Sequence, residues 1–289
     1  MSDIEERKIQ KNKTPLTEEQ KSLRRIRKRR EGENKNKMIK KYINKIKSDD
    51  IILTFTDTTY LPIFNIFYNY FEKLNLNNLI VISLDENVFS ILNKRGILTL
   101  LYKYKISSRN NFWRFRYYLI DKIFQLSKKN IIHTDSDCIW IKDITKIPEL
   151  SFKYDIIGQV AFGHPIKVVK KIGMVLCCGF YKIYFNNNTK YLFKKILRKK
   201  YNRGINDDQV MINNYILHEH EQIEENEFGK CITIKNNNIK ILLLNTKYIS
   251  RRIEDKMPLL YHPHLKGNIE NKEKQLKLNL HLLEFSNEH

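Results

Sequence analysis

The chain has 289 residues and carries 53 Lys+Arg against 32 Asp+Glu, a formal charge of +21. That length is enough for one large α/β core or two small ones; the 42% hydrophobic, 11% aromatic composition with 9 Gly and 6 Pro excludes global disorder and collagen- or mucin-like chains. No apolar run reaches the ~18 residues of a membrane span, and the N-terminal MSDIEERKIQKNK lacks the apolar stretch of a secretory signal, so a cytoplasmic protein without a membrane span is expected.

In chain order, residues 1–47 come first, with 17 basic and 7 acidic residues, and Lys21–Arg30 alone has seven basic residues in ten. This stretch reads as a basic tail, flexible or helical, with Thr17 as a helix cap and helix formers as far as Arg30. It raises a nucleic-acid-binding protein as an alternative function, but no DNA- or RNA-binding motif accompanies it. The remaining charge is scattered Lys among many Ile and Asn, the bias of an AT-rich genome such as that of some microbes and large DNA viruses. The four cysteines, Cys138, Cys177, Cys178 and Cys231, form no C-x-x-C pair and read as buried thiols of a reducing compartment.

A single domain is expected over 48–289. Ile51–Thr56 reads as a buried strand, Thr59–Leu74 as a helix, Leu79–Leu84 as a strand, Glu86–Lys94 as a helix and Ile97–Leu101 as a strand. Asn111–Leu126 reads as a helix and Asn130–Thr134 as a strand. This alternation predicts βαβ units and a mainly parallel, mixed sheet flanked by helices, with ligands beyond the carboxyl ends of its strands. Further on, strands are expected at Asp155–Val160, Met174–Tyr184, Cys231–Ile234, Ile239–Leu244 and Leu259–Tyr261. Helices are expected at Thr189–Tyr201, Asp207–Leu217 and Glu270–Leu283.

Chemistry concentrates where the strand Ile131-Ile132-His133-Thr134 runs into Asp135-Ser136-Asp137. Two carboxylates so close repel each other unless a cation lies between them. Hard oxygen ligands suit Mg²⁺ or Mn²⁺, which typically also hold substrate phosphates. The apolar Ile139-Trp140-Ile141 that follows argues against a mere solvated turn.

With its flanks, this segment resembles the GT-A-fold nucleotide-diphospho-sugar transferases, close to the plant cell-wall xylosyl-, arabinosyl- and galactosyltransferase group. Ile131–Asp143 stands in register with that family's strand and D-x-D. Four further segments follow its order: Val81–Glu86, Gly179-Phe180-Tyr181, Asn206–Asn213, and Tyr261–Gly267 through Lys272. The chain departs at Cys177-Cys178, where the family pattern has Asn-Thr.

The resemblance implies a metal-dependent glycosyltransferase using a nucleotide sugar, UDP-linked, with a glycan or protein as acceptor. It implies that Asp135 and Asp137 hold Mn²⁺ or Mg²⁺ together with His262, with His264 as the competing ligand. It further implies that Thr56, Asp57 and Tyr60 hold the nucleoside, that Arg116, Ser136, Gly267 and Lys272 contact the donor, and that Asp208 and Gln209 sit near the anomeric carbon of a retaining reaction. The chief enzyme alternative is a haloacid-dehalogenase-like phosphatase, which would use Asp135 and Asp137 instead.

Overall fold

A computed structural model of the chain describes residues 17–104, 109–146, 153–196, 204–205, 207–235, 237–252 and 258–285. The chain divides into two compact units, Met1–Lys41 and Tyr42–His289. Helix α1 (Glu18–Ile43) begins in the first unit. Its start is a capping box: Gln20 N donates to Thr17 Oγ1 at 3.2 Å and Thr17 N to Gln20 Oε1 at 3.1 Å, which satisfies two of the donors that a helix N-terminus leaves open. The helix continues past Arg30, through Gly32, Asn34 and Asn36, which are poor helix formers. Exposed i,i+4 pairs, Arg27–Glu31 at 2.9 Å and Arg29–Glu33 at 3.0 Å, bridge that weak stretch.

The second unit opens with the predicted alternation: β1 (Asp50–Thr56), α2 (Leu61–Glu72), β2 (Leu79–Ser83), α3 (Glu86–Lys94), β3 (Thr99–Leu101), α4 (Arg109–Ser127) and β4 (Asn130–Thr134). Local chemistry marks the boundaries. Pro62 occupies the first turn of α2, where a missing N–H costs nothing. Asp85 caps α3 by accepting from Val88 N at 2.8 Å, and it also accepts from Thr58 N at 2.7 Å.

After the two-residue β5 (Ile139–Trp140) come β6 (Ile156–Ala161), α5 (Ile166–Ile172), β7 (Val175–Ile183), α6 (Asn187–Ile196) and α7 (Asp208–Glu219). The chain closes through β8 (His220–Asn226), β9 (Gly229–Ile234), β10 (Ile239–Leu244), β11 (Ile249–Ser250), β12 (Leu260–Tyr261) and α8 (Ile269–Phe285). The helix expected over Thr189–Tyr201 is present to Ile196; its remainder lies outside the described residues.

The main sheet has nine strands in the order β3-β2-β1-β4-β7-β6-β10-β9-β8. The β3-β2-β1-β4 half is parallel, as the βαβ pattern predicts. The other half is mixed, because β7 runs antiparallel to both β4 and β6 and the β8–β9–β10 meander is antiparallel. Strand β8 was not expected from the sequence, since HEQIEEN has no apolar alternation. It is an exposed edge strand, and its Glu221, Glu224 and Glu225 suit a sheet edge that must not pair with another chain.

A second sheet, β11-β12-β5, places the residue after Tyr261 beside the turn before Ile139. Two segments far apart in sequence thereby meet at the carboxyl end of β4. Trp140 anchors this junction: it is fully buried, its ring lies edge-on to Phe71 at 5.4 Å and to Phe180 at 6.1 Å, and its Nε1 donates to Thr134 Oγ1 at 3.1 Å. All four cysteines are free and buried. No described helix is long and apolar enough to cross a membrane.

Candidate active site

The carboxyl end of β4 opens into a cleft of about 790 Å³. Asp135 is fixed at its floor, where its N–H donates to Gly179 O of β7 at 2.7 Å and its carbonyl accepts from Cys138 N at 3.0 Å. Arg116, from α4, reaches across the floor. Its Nη1 donates to Asp135 Oδ1 at 2.6 Å, while Nε and Nη2 donate to the two oxygens of Asp208 at 2.7 and 3.0 Å. His133 Nε2 lies 3.2 Å from the same Oδ1 of Asp135.

The charges here are mutually dependent. Burial alone would raise the Asp135 pKa, but the Arg116 guanidinium, with His133 and His262, outweighs it and holds this carboxyl below the ordinary range. Asp208 is pushed up by its burial, with Arg116 pulling against that shift. Burial lowers His133, which favours the neutral ring.

Asp137, Asp135 and His262 each offer a ligand atom, and these atoms lie within 4.8 Å of one another. His262 Nε2 is 3.5 Å from Asp137 Oδ1, and Tyr60 Oη donates to Asp137 Oδ2 at 3.3 Å. His262 Nδ1 donates to Gln159 Oε1 at 2.6 Å. A ligating histidine commonly has this kind of outer partner, which directs Nε2 towards the metal. Two carboxylates and an oriented imidazole therefore fit a divalent cation of the Mn²⁺ type. Burial alone would lower the His262 pKa, but hydrogen bonds to Asp137 and Cys177 push it up to about 10.

A register shift between Gly158 and Gln159 sets this geometry, because β6 pairs Gly158 with Tyr181 and then Gln159 with Cys177. Irregular pairing of this kind re-aims side chains beside sites. Gly179 is required here for space, as a Cβ on it would lie 2.1 Å from His262 Cε1 and 2.9 Å from Nε2. Gly179→Ala is expected to displace His262, lowering metal affinity at least about tenfold and stability by about 1–3 kcal/mol. Metal titration together with urea denaturation reads both effects.

Helix α7 forms the far wall. Asp207 caps it by accepting from Val210 N at 2.9 Å. Asn213 clamps it to β7, accepting from Leu176 N and donating to Leu176 O, both at 2.8 Å. The Asp208 carboxylate is turned into Arg116 and is buried. Gln209 spans two walls: its Oε1 accepts from Cys178 N at 3.0 Å and its Nε2 donates to His164 O at 2.5 Å.

Arg116, Asp135, Asp137, Asp208, Gln209 and His262 thus border one cleft. His264 also borders it, but His262 is the histidine whose ligand atom joins the carboxylates. Ser136 is buried beneath, and its Oγ donates to Phe55 O at 3.4 Å. The other predicted residues do not line the cleft. Thr56 is buried at the end of β1, and Asp57 accepts from Tyr60 N at 2.8 Å to shape the turn into α2. Lys272 Nζ sits 5.3 Å from the Tyr60 ring centre, and Gly267 takes a left-handed φ of 89° just before α8.

Sequence reasoning gave no site role to Gln159, His133, Gly179 or Arg251. A polar residue inside an otherwise apolar, buried run, as Gln159 is in β6 and His133 in β4, was the signal available for the first two.

Residues 74–276 match the nucleotide-diphospho-sugar transferase family. The chain is also similar to solved structures. The apo structure of WbbM, a bifunctional glycosyltransferase, superposes with a TM-score of 0.51 at 9% identity, covering 83% of this chain and 52% of that one. The apo form of the glycosyltransferase GlyE from Streptococcus pneumoniae TIGR4 gives a TM-score of 0.48 at 14% identity, covering 82% of this chain and 63% of that one. The chain therefore spans about half the length of WbbM. No curated protein matches it by sequence. A family match of this extent agrees with the sugar-transferase resemblance and speaks against the phosphatase alternative.

Proposed function

The chain belongs to the nucleotide-diphospho-sugar transferase family, and from that premise we propose that it transfers a sugar from a UDP-linked donor to a glycan or protein acceptor, with retention and with Mn²⁺ or Mg²⁺ bound by Asp135, Asp137 and His262. The observation that carries this reading is the convergence of those three ligand atoms within 4.8 Å. When bound, the cation supplies Lewis-acid stabilisation of the charge that develops on the leaving nucleoside diphosphate.

The chain's own residues supply the rest. Arg116 fixes the Asp135 carboxylate through Oδ1 and neutralises Asp208. Gln159 fixes the His262 ring. Gln209 holds the His164 loop against α7 and β7, shaping the wall beside the sugar. The Asp208 oxygens are both occupied by Arg116, so a covalent double displacement through Asp208 would first have to break a buried ion pair. This supports a front-face route, with Asp208 and Gln209 positioning the groups around the anomeric carbon. Tyr60 and Lys272, on the Asp137 side of the site, suit the nucleotide end of the donor.

The test is a panel of UDP-, GDP- and ADP-sugars with Mn²⁺, assayed for released nucleoside diphosphate. Release from a UDP-sugar, slow without acceptor, is the expected result. No release from any donor would refute the reading.

A pH dependence follows from His262. Metal-free His262 is protonated below about pH 10, and the cation must displace that proton. From about pH 6 to 9 the apparent metal affinity should therefore rise, by up to tenfold per pH unit. Calorimetric titration should show this slope in the wild type and its loss in His262→Gln.

A further inference from the structure

Two arginines of the cleft are in opposite circumstances. Arg116 is neutralised by Asp135 and Asp208. Arg251 has no carboxylate partner among the described residues. Its Nη2 donates to Cys177 Sγ at 2.9 Å, and its Nε is buried with no hydrogen-bond partner. Sulfur is a weak acceptor, and burying an unmet donor of a cation is costly. A guanidinium held this way calls for an oxyanion.

Its position is built. Ser250 is buried at the end of β11 and locks the following turn, with Ser250 Oγ accepting from Arg252 N at 3.1 Å and donating to Arg252 O at 2.7 Å. The carbonyl of the same serine accepts from His262 N at 2.8 Å. At its side-chain end, Arg251 rests on the Cys177 thiol, which borders the same cleft as His262. The Ser250 carbonyl thus ties the Arg251 turn to His262, and Arg251 borders the same cleft as the Asp135–Asp137–His262 cluster. Arg252 borders the cleft beside it.

We propose that Arg251 is an oxyanion-binding residue, receiving a phosphate or carboxylate oxygen of the substrate on the His262 side of the cleft. The inference rests on the reading that this cleft is the substrate site. Two sources share that chemistry, the diphosphate of the nucleotide donor and an acidic group on a sugar, and two probes separate them.

The experiment is calorimetry on the full-length chain with Mn²⁺ plus inorganic pyrophosphate, and separately with glucuronate. It compares the wild type with Arg251→Met and Arg251→Lys. Arg251→Gln stands by if the Met variant melts early. The wild type should bind at least one probe, Arg251→Met should lose about tenfold or more in affinity for it, and Arg251→Lys should keep most of it. Mn²⁺ binding without either probe should be unchanged. Loss with pyrophosphate assigns the diphosphate, and loss with glucuronate assigns an acidic sugar. Wild type that binds neither probe, or an Arg251→Met variant that binds both within about twofold of wild type, overturns the proposal. Failure of the transferase reading would register separately, as wild-type protein that releases no nucleoside diphosphate from any donor.

Discussion

Asp137→Asn is expected to abolish metal-dependent nucleotide binding and to lower nucleoside diphosphate release about 10³-fold. The substitution is nearly isosteric, and Tyr60 Oη keeps an acceptor at Oδ1 of the new amide, so the fold should survive. What disappears is one of the two negative charges of the proposed cation site. Asp137 borders the cleft and has no arginine partner among the described residues, unlike Asp135; its charged neighbour is His262, 3.5 Å away. Its loss should appear first as loss of Mn²⁺ affinity by calorimetry, with a thermal midpoint close to wild type. A variant that binds Mn²⁺ and UDP as the wild type does would contradict the assignment of Asp137.

Arg116→Met should act first on stability, and then on the site through the Asp135 carboxylate that Arg116 holds. The Arg116 side chain is 7% exposed and that of Asp208 2%, so removing the guanidinium strands a carboxylate in a medium that cannot solvate it. Breaking a buried pair from one side typically costs about 3–5 kcal/mol. Urea denaturation should show a loss of this size. Arg116→Met combined with Asp208→Asn should recover a substantial part of it, because the stranded charge is then gone. Additivity of the two single variants, or a loss below about 1 kcal/mol, would show that the pair does not brace the site. Even in the recovered double variant Asp135 lacks its guanidinium, so metal affinity should remain weakened.

Much of the fold was legible because the first half of the second unit obeys simple periodicities. The apolar run before Asp135 ends where the charges begin, and the α3 and β10 limits follow from a cap at Asp85 and from an uninterrupted ILLL. Strand β8 escaped because an exposed edge strand needs no apolar face. Helix α5 escaped because IKVVKKI is one short helix after Pro165, too brief for its period to declare itself. The candidate site was legible at Asp135 and Asp137, where the chemistry lies within three consecutive residues. His262 was reached through resemblance rather than pattern, since only the β12–β5 pairing brings it to Asp137. Gln159, Cys177 and Arg251 depend on the β6–β7 register shift and the Ser250 turn, and no local sequence pattern encodes where those send a side chain.

The most direct test of the central claim is an anomalous difference map from crystals of the full-length chain grown with Mn²⁺ and UDP. The account predicts a Mn²⁺ peak at coordination distance from Asp135, Asp137 and His262 Nε2, with the diphosphate against it. UDP bound in the cleft with no metal at these three residues, or Mn²⁺ held elsewhere, would contradict it.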